Sequence, residues 1–360
     1  MIPLASPLIE QDDLDAVSEV LASGMLVQGP RVAAFEAAVG EVTGASHVVA
    51  VSSGTAALHL ALLALGIGPG DRVAVPTYSW PATANVVEVV GASCVFVDIE
   101  EDTFAMDAGQ LAKVASEPLA AVLPVHPFGA MADLAALADA APGVTVVEDA
   151  ACALGARRDG RRAGSVGTVG CFSFHPRKAV TTGEGGALVT ADPELADRLL
   201  MLRNHGQDPQ AGGFALPGLN YRLTEMQGAL GVSQMAKLER IVAGRRAAAD
   251  RYNQLLAGTD VRAPVTAAGS EPVFQSYVVL LPEGTDRAAV VRRAHDRGVQ
   301  TQIGTWHVPM TRYYRERYGY GQGDFPVTDR VFEQSLALPL HPRLTEEEQG
   351  QVVATVLDSL

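Results

Sequence analysis

An α/β fold, with a mostly parallel sheet covered by helices on both faces and a smaller α+β unit after it, is predicted by two patterns in the sequence. From residue 47 to about 190, short β-branched runs alternate with helical patterns, as in successive βαβ units. The runs are apolar throughout rather than alternating with polar residues, as strands buried on both faces require.

The elements follow in order. HVVAV leads into the helical pattern TAALHLALLAL, and RVAVP into PATANVVEVV. CVFVD is followed by AGQLAKVA, AAVLPV by MADLAALADA, and then come VTVVED and GCFSF. From about 223 to 255 a single long helical pattern is expected to link two parts of the chain. Beyond it lie strand-like VFQSYVVLL and helix-like DRAAVVRRAHDRG, then a C-terminal helix opening at LTEEEQ, where Thr345 precedes glutamates suited to the positive helix end. A chain of 360 residues exceeds the roughly 150 of an average domain. The expected division is a large domain over 1–250, including an N-terminal arm, and a small C-terminal domain over 251–360.

Composition narrows the function. A formal net charge of −14, with no block of basic residues, argues against nucleic acid as a partner. No apolar run approaches the roughly 20 residues of a membrane span, and no secretory pattern opens the chain, so a cytoplasmic protein is expected. Cys94, Cys152 and Cys171 are odd in number, lie in apolar surroundings and lack metal-ligand spacing, so neither a disulfide framework nor a metal site is expected.

In an open α/β sheet, ligands bind beyond the carboxyl ends of the parallel strands. The loops there read SSGTAA, PTYSW, HPFG, EDAAC and SFHPRK. In the first, Ser53, Gly54 and Thr55 precede a helix whose free N–H groups could cradle a phosphate, although a simple Ser/Thr N-cap explains them as well. It matches neither dinucleotide nor ATP-binding glycine patterns. Asp149 ends a buried strand and must be paired; it would suit a protonated ring nitrogen, or a helix cap or buried ion pair. There are only three lysines, Lys113, Lys178 and Lys237. Lys113 and Lys237 fall in amphipathic helical patterns, where lysine faces water, while Lys178 follows a strand at the ligand edge. Tyr78 and Trp80 offer aromatic faces for a ring, and Ser173 a hydroxyl. Phosphate cradle, ring aromatic, buried carboxylate and amine together are what pyridoxal 5'-phosphate needs: a Schiff-base lysine and a carboxylate that keeps its ring an electron sink.

The segments SGTAAL, VEDAA, SFHPRKAVTTGEGG, RNHG and GLNYRLTEMQGALG, in this order and spacing, resemble the DegT/DnrJ/EryC1/StrS aminotransferases. The resemblance runs from the N-terminal arm to the C-terminal helix. It implies a fold-type-I, pyridoxal-phosphate-dependent enzyme with a mixed seven-stranded sheet, acting as a homodimer with sites at the interface. It implies that Lys178 is the catalytic Schiff-base lysine and Asp149 the partner of the pyridine nitrogen. Gly54, Thr55, Ala56 and Ser173, with Asn220 of the partner subunit, would hold the phosphate, and Trp80 would stack on the ring. Family members commonly carry Gln or His where this chain has Cys152, next to the ring's phenolic oxygen, and a thiol is a weaker donor. Relatives that act as dehydratases replace the lysine with histidine; Lys178 favours transamination.

The implied reaction is ping-pong. An amino acid, L-glutamate first, would leave its amino group on the cofactor as pyridoxamine 5'-phosphate, and a keto sugar, nucleotide-linked, would then accept it. A keto cyclitol acceptor, a sugar dehydratase and a non-catalytic cofactor-binding regulator are the alternatives. His175, Glu184, Tyr221, Trp306, His307 and Arg312 are candidate substrate contacts, with His205 a possible site-lining group. The stretch GTWHVPMTRYYRERYGY, which also holds Tyr313 and Arg315, reads equally as a solvated amphipathic helix with a packed aromatic side.

Overall fold

The computed structural model describes all 360 residues. Seven strands form the main sheet: β1 (His47–Val51), β2 (Arg72–Pro76), β3 (Ser93–Val97), β4 (Ala121–Val122), β5 (Thr145–Asp149), β6 (Val169–Ser173) and β7 (Gly186–Thr190). Their spatial order is β1-β7-β6-β5-β4-β2-β3, and only β7 runs against the rest. The sheet is therefore mixed and mostly parallel, as expected. AAVLPV contributes only two ladder residues, and its Pro124 has no N–H to donate.

Burial on both faces is visible within a single strand. In β6, Phe172 joins the core on one side with Phe35, Leu111 and Phe174, while Val169 and Cys171 join the other with Leu58, Val75 and Leu123. Helix α3 (Gly54–Ala64) lies in this second layer, with Leu58, Leu60 and Leu62 buried.

β7 enters the sheet between the carboxyl ends of β1 and β6, with Gly186 opposite Val51 and Ser173. A Cβ on Gly186 would stand 2.3 Å from the Ser53 carbonyl oxygen. That separation explains the glycine that closes the TTGEGG turn.

A separate three-stranded antiparallel sheet follows, with β8 (Tyr277–Leu280), β9 (Gln302–Ile303) and β10 (Ser335–Leu338) in the order β8-β10-β9. Its apolar side packs on Tyr252, Val290, Val352 and Val356. Ile2 joins that cluster, and the N-terminal arm forms an isolated parallel bridge from Ile2 to Val299. The C-terminal helix, Glu346–Leu357, starts at Thr345 as the sequence indicates, with a capping box closed by Glu348. No helix is long and apolar enough to cross a membrane.

The single helix expected over 223 to 255 is two: α8 (Glu225–Met235) and α9 (Leu238–Leu256). The break at Ala236 and Lys237 involves neither glycine nor proline. Lys237 is 6% exposed, and its ammonium lies 2.6 Å from Asp12 and 2.7 Å from the buried Asp13, both in the N-terminal helix Gln11–Ser23. The expectation that Lys237 faces water is thus overturned by two carboxylates from the far end of the sequence. Lys113 does sit on the surface, bonded to Gln110.

Candidate active site

β1, β2, β4, β5 and β6 share one direction, so the loops after them meet at a single edge of the sheet. Ser53 caps α3, its hydroxyl accepting from the Ala56 N–H at 3.0 Å. Thr55 in the first turn is exposed, and the first-turn N–H groups have no carbonyl four residues back. Gly54 lies against Ser173 at the end of β6: a Cβ on it would be 2.7 Å from the Ser173 Cβ and 3.2 Å from its hydroxyl oxygen. The N-cap and the phosphate cradle are competing explanations of SSGTAA; Ser53 supplies the cap, and Thr55 stays exposed in the first turn with Ser173 packed against the neighbouring Gly54.

Asp149 ends β5 and is 5% exposed. Its Oδ2 accepts from the Thr83 hydroxyl at 2.8 Å, and its Oδ1 from the Ala151 N–H at 3.2 Å. Burial pushes its pKa upward, against the lowering effect of those two bonds and of nearby Lys178. Such a carboxylate is short of a close cationic partner.

Lys178 is half-buried in the loop after β6, its N–H bonded to the His175 carbonyl. The one polar contact of its Nζ is the Cys152 sulfur at 3.1 Å. An amine without a carboxylate beside it is free to react with a carbonyl. Cys152 departs from the expectation of apolar surroundings, because the turn after Asp149 brings it to this amine; Cys94 and Cys171 are buried as expected.

Around this centre the remaining candidates divide. Trp80 is 63% and Trp306 41% exposed, and their segments pair as a short antiparallel ladder, Ser79 opposite Trp306. Asn220, Glu184 and His205 are exposed, the last with a left-handed φ of 58°. His175 is half-buried, its Nδ1 accepting from the Arg177 N–H, and burial lowers its pKa. Tyr221 is turned onto α3, its hydroxyl 3.1 Å from His59 Nδ1.

His307 differs from expectation. It is buried, bonded through Nε2 to Asp329 at 3.0 Å and packed against Phe325 and Phe332, so it is part of the fold's interior. Arg312 projects from the short helix Arg312–Tyr318 and pairs with Glu316, while Tyr314 on the same helix is buried against Phe96. That helix is the solvated amphipathic alternative raised by its sequence.

Two residues at the centre carry no signal in local sequence pattern. Thr83 and Ser79 reach Asp149 only through the fold, though their spacing of four across the start of a helix is consistent with one facing the other. His126, in the loop after β4, is fully buried and bonds Glu148, next to Asp149, at 2.8 Å.

These groups fit pyridoxal phosphate. The close Gly54–Ser173 approach brings the Ser173 hydroxyl to the start of α3, the Lys178 amine has no ion partner, and the buried Asp149 lacks a cation that a protonated ring would supply.

The model of the DegT/DnrJ/EryC1/StrS aminotransferase family matches residues 7–357. Among solved structures, DesV of S. venezuelae, in complex with a ketimine intermediate, is 37% identical at a TM-score of 0.91, over 96% of this chain and 93% of that one. PseC of Helicobacter pylori, an aminotransferase involved in the biosynthesis of pseudoaminic acid, is 27% identical at 0.93, over 99% and 98%. A candidate sugar aminotransferase of Streptococcus pneumoniae in its PLP form is 27% identical at 0.94, again over 99% and 98%.

Proposed function

The chain belongs to the DegT/DnrJ/EryC1/StrS aminotransferase family and is a pyridoxal-phosphate-dependent sugar aminotransferase, and from that premise we propose that it moves an amino group from L-glutamate to a nucleotide-linked keto sugar. The acceptor is a 3- or 4-keto-6-deoxyhexose carried on a nucleoside diphosphate. The observation that carries the site assignment is Lys178: of three lysines it alone lies at the ligand edge, with an unpaired amine.

Gly54, Thr55, Ala56 and Ser173 hold the phosphate by N–H and hydroxyl donors at the start of α3, where the helix dipole favours an anion. Asn220 of the partner subunit completes that cradle in a homodimer. The exposed Leu14, Leu21, Met25, Leu26 and Val27 supply apolar surface for such an interface. Trp80 would cover the ring and Asp149 would pair with its nitrogen, while Cys152 stands beside the Lys178 amine. The bound cofactor supplies a carbonyl that captures amines and a ring that absorbs the electron pair released when a C–H bond is broken. Lys178 is the amine that would carry the cofactor and, when freed from it, would move a proton between substrate carbon and cofactor, from the donor's α-carbon in one half-reaction and to the acceptor carbon in the other. Trp306 and Glu184 border the acceptor. Residues 1–250 form the cofactor-binding lobe and 251–360 the smaller one.

The order is ping-pong: 2-oxoglutarate leaves before the keto sugar enters. Incubating the holoenzyme with L-glutamate alone therefore releases one 2-oxoglutarate per site, and the isolated protein then aminates the keto sugar with no donor present. Release of 2-oxoglutarate only when the acceptor is also present would rule out this order, and equal turnover of a free keto cyclitol would rule out the nucleotide requirement.

A further inference from the structure

We propose that Thr83 is a positioning residue for Asp149, holding its carboxylate ionised and aimed at the pyridine nitrogen, and that Ser79 orients Thr83 for this. The proposal rests on the assignment of Asp149 as the ring-nitrogen partner made above.

Three buried groups form a directed chain. Ser79, Thr83 and Asp149 are 4%, 2% and 5% exposed. Ser79 Oγ is 2.8 Å from Thr83 Oγ1, which is 2.8 Å from Asp149 Oδ2. A carboxylate has no hydrogen to give, so Thr83 donates to Asp149 and its lone pairs accept from Ser79. Threonines in helices often return their hydroxyl to a carbonyl of the preceding turn. Thr83, the second residue of the helix Ala82–Val89, instead bonds a strand end 66 residues away.

Both upstream members are fixed by backbone. Ser79 lies in the ladder opposite Trp306, and the Thr83 N–H bonds the Trp80 carbonyl at 3.2 Å, so the backbone that carries the two hydroxyls does not shift with the Asp149 side chain. The Thr83 bond sets the carboxylate plane and, with the Ala151 N–H on the other oxygen, leaves lone pairs for one more donor.

The chemical consequence follows from where the proton sits. In a site this dry, a carboxylate and a pyridinium compete for one proton. A hydroxyl donating to the carboxylate lowers its proton affinity, so the proton stays on the ring and the electron sink is kept. Remove that hydroxyl and the proton moves toward Asp149.

The test is the 15N chemical shift of the ring nitrogen in holoenzyme loaded with 15N-labelled pyridoxal phosphate, for wild type, Thr83→Val, Thr83→Ser, Ser79→Ala and Asp149→Asn. Valine matches threonine in shape, and hydrogen bonds to charged groups are strong enough for a loss of roughly tenfold or more in the ionisation equilibrium. Thr83→Val is expected to move the shift toward unprotonated pyridine and lower kcat by roughly tenfold, with KM values within about twofold. Thr83→Ser restores both, and Ser79→Ala moves both partway. A wild-type ring shift in Thr83→Val and Ser79→Ala, with Asp149→Asn displaced, overturns the role of Thr83. A wild-type shift in Asp149→Asn as well overturns the assignment of Asp149 itself. Should Thr83→Val not retain cofactor, Ser79→Ala decides, because it leaves Thr83 in place.

Discussion

Replacing Glu148 with glutamine tests how the floor of the active site is held. Glu148 is fully buried beside Asp149, and four donors converge on its carboxylate. Oε2 accepts from His126 Nε2 at 2.8 Å and from the Gly164 N–H at 2.7 Å; Oε1 accepts from the N–H groups of Val166 at 2.7 Å and Gly167 at 2.5 Å. His126 Nδ1 accepts from the Ala132 N–H at 3.1 Å, which leaves the ring hydrogen on Nε2, so the pair is a neutral imidazole donating to a carboxylate. Glutamine keeps one oxygen and turns an NH2 group toward two donors. Two charge-assisted bonds are lost and donors face donors inside the core. At about 1.5–3 kcal/mol for each such bond, the loss is about 3–6 kcal/mol, a large share of the roughly 5–15 kcal/mol by which folded proteins are stable.

Acid adds an independent check. Burial alone would raise the Glu148 pKa, but the His126 bond and the loop amides outweigh it and hold the group below its ordinary 4.5. A carboxylate lowered on folding contributes stability above its unfolded pKa and loses it as the pH falls through the folded value. The assay is urea unfolding of the apo-protein by far-UV circular dichroism at neutral pH and near pH 4. The glutamine variant should unfold at lower urea at neutral pH and lose less on acidification than wild type. An unchanged neutral midpoint, or an equal acid loss, would refute the argument.

Gly54→Ala should weaken cofactor binding by roughly tenfold, since a Cβ 2.7 Å from that of Ser173 forces the start of α3 away from β6; equilibrium dialysis against pyridoxal phosphate measures it. Lys237→Met leaves the buried Asp13 without its cation, at a cost of about 3–5 kcal/mol, and limited proteolysis should then release residues 1–23 first. Of the three thiols, only Cys152 should react with a disulfide reagent in the native apo-protein, because burial encloses Cys94 and Cys171 and pushes both pKa values up; peptide mapping identifies the labelled residue.

Features set by neighbouring residues were legible in the sequence. Apolar strands such as Val169–Ser173 declare burial on two faces, and Thr345 with Glu348 declares a helix start, because both depend on contacts within a few residues. The loops that end those strands meet because parallel strands share a direction, so the gathering of Gly54, Asp149 and Lys178 at one edge follows from the pattern. What the pattern lacks is long-range pairing. Lys237 looks like a surface lysine until Asp12 and Asp13 arrive from more than 220 positions away. The helix break beside it has no glycine or proline to announce it, and Thr83 acquires a role only when β5 is laid next to its helix. His307 stands in a polar, aromatic stretch that suggests a binding loop, yet Asp329 and two phenylalanines enclose it.

The account turns on Lys178 as the residue that carries the cofactor. Borohydride reduction of the holoenzyme, followed by digestion and mass spectrometry, fixes the cofactor to whichever amine holds it. The prediction is a phosphopyridoxyl group on the peptide containing Lys178, and none on those containing Lys113 or Lys237. Label on either of the other two lysines, or a protein that holds pyridoxal phosphate but yields no reduced adduct, would contradict it.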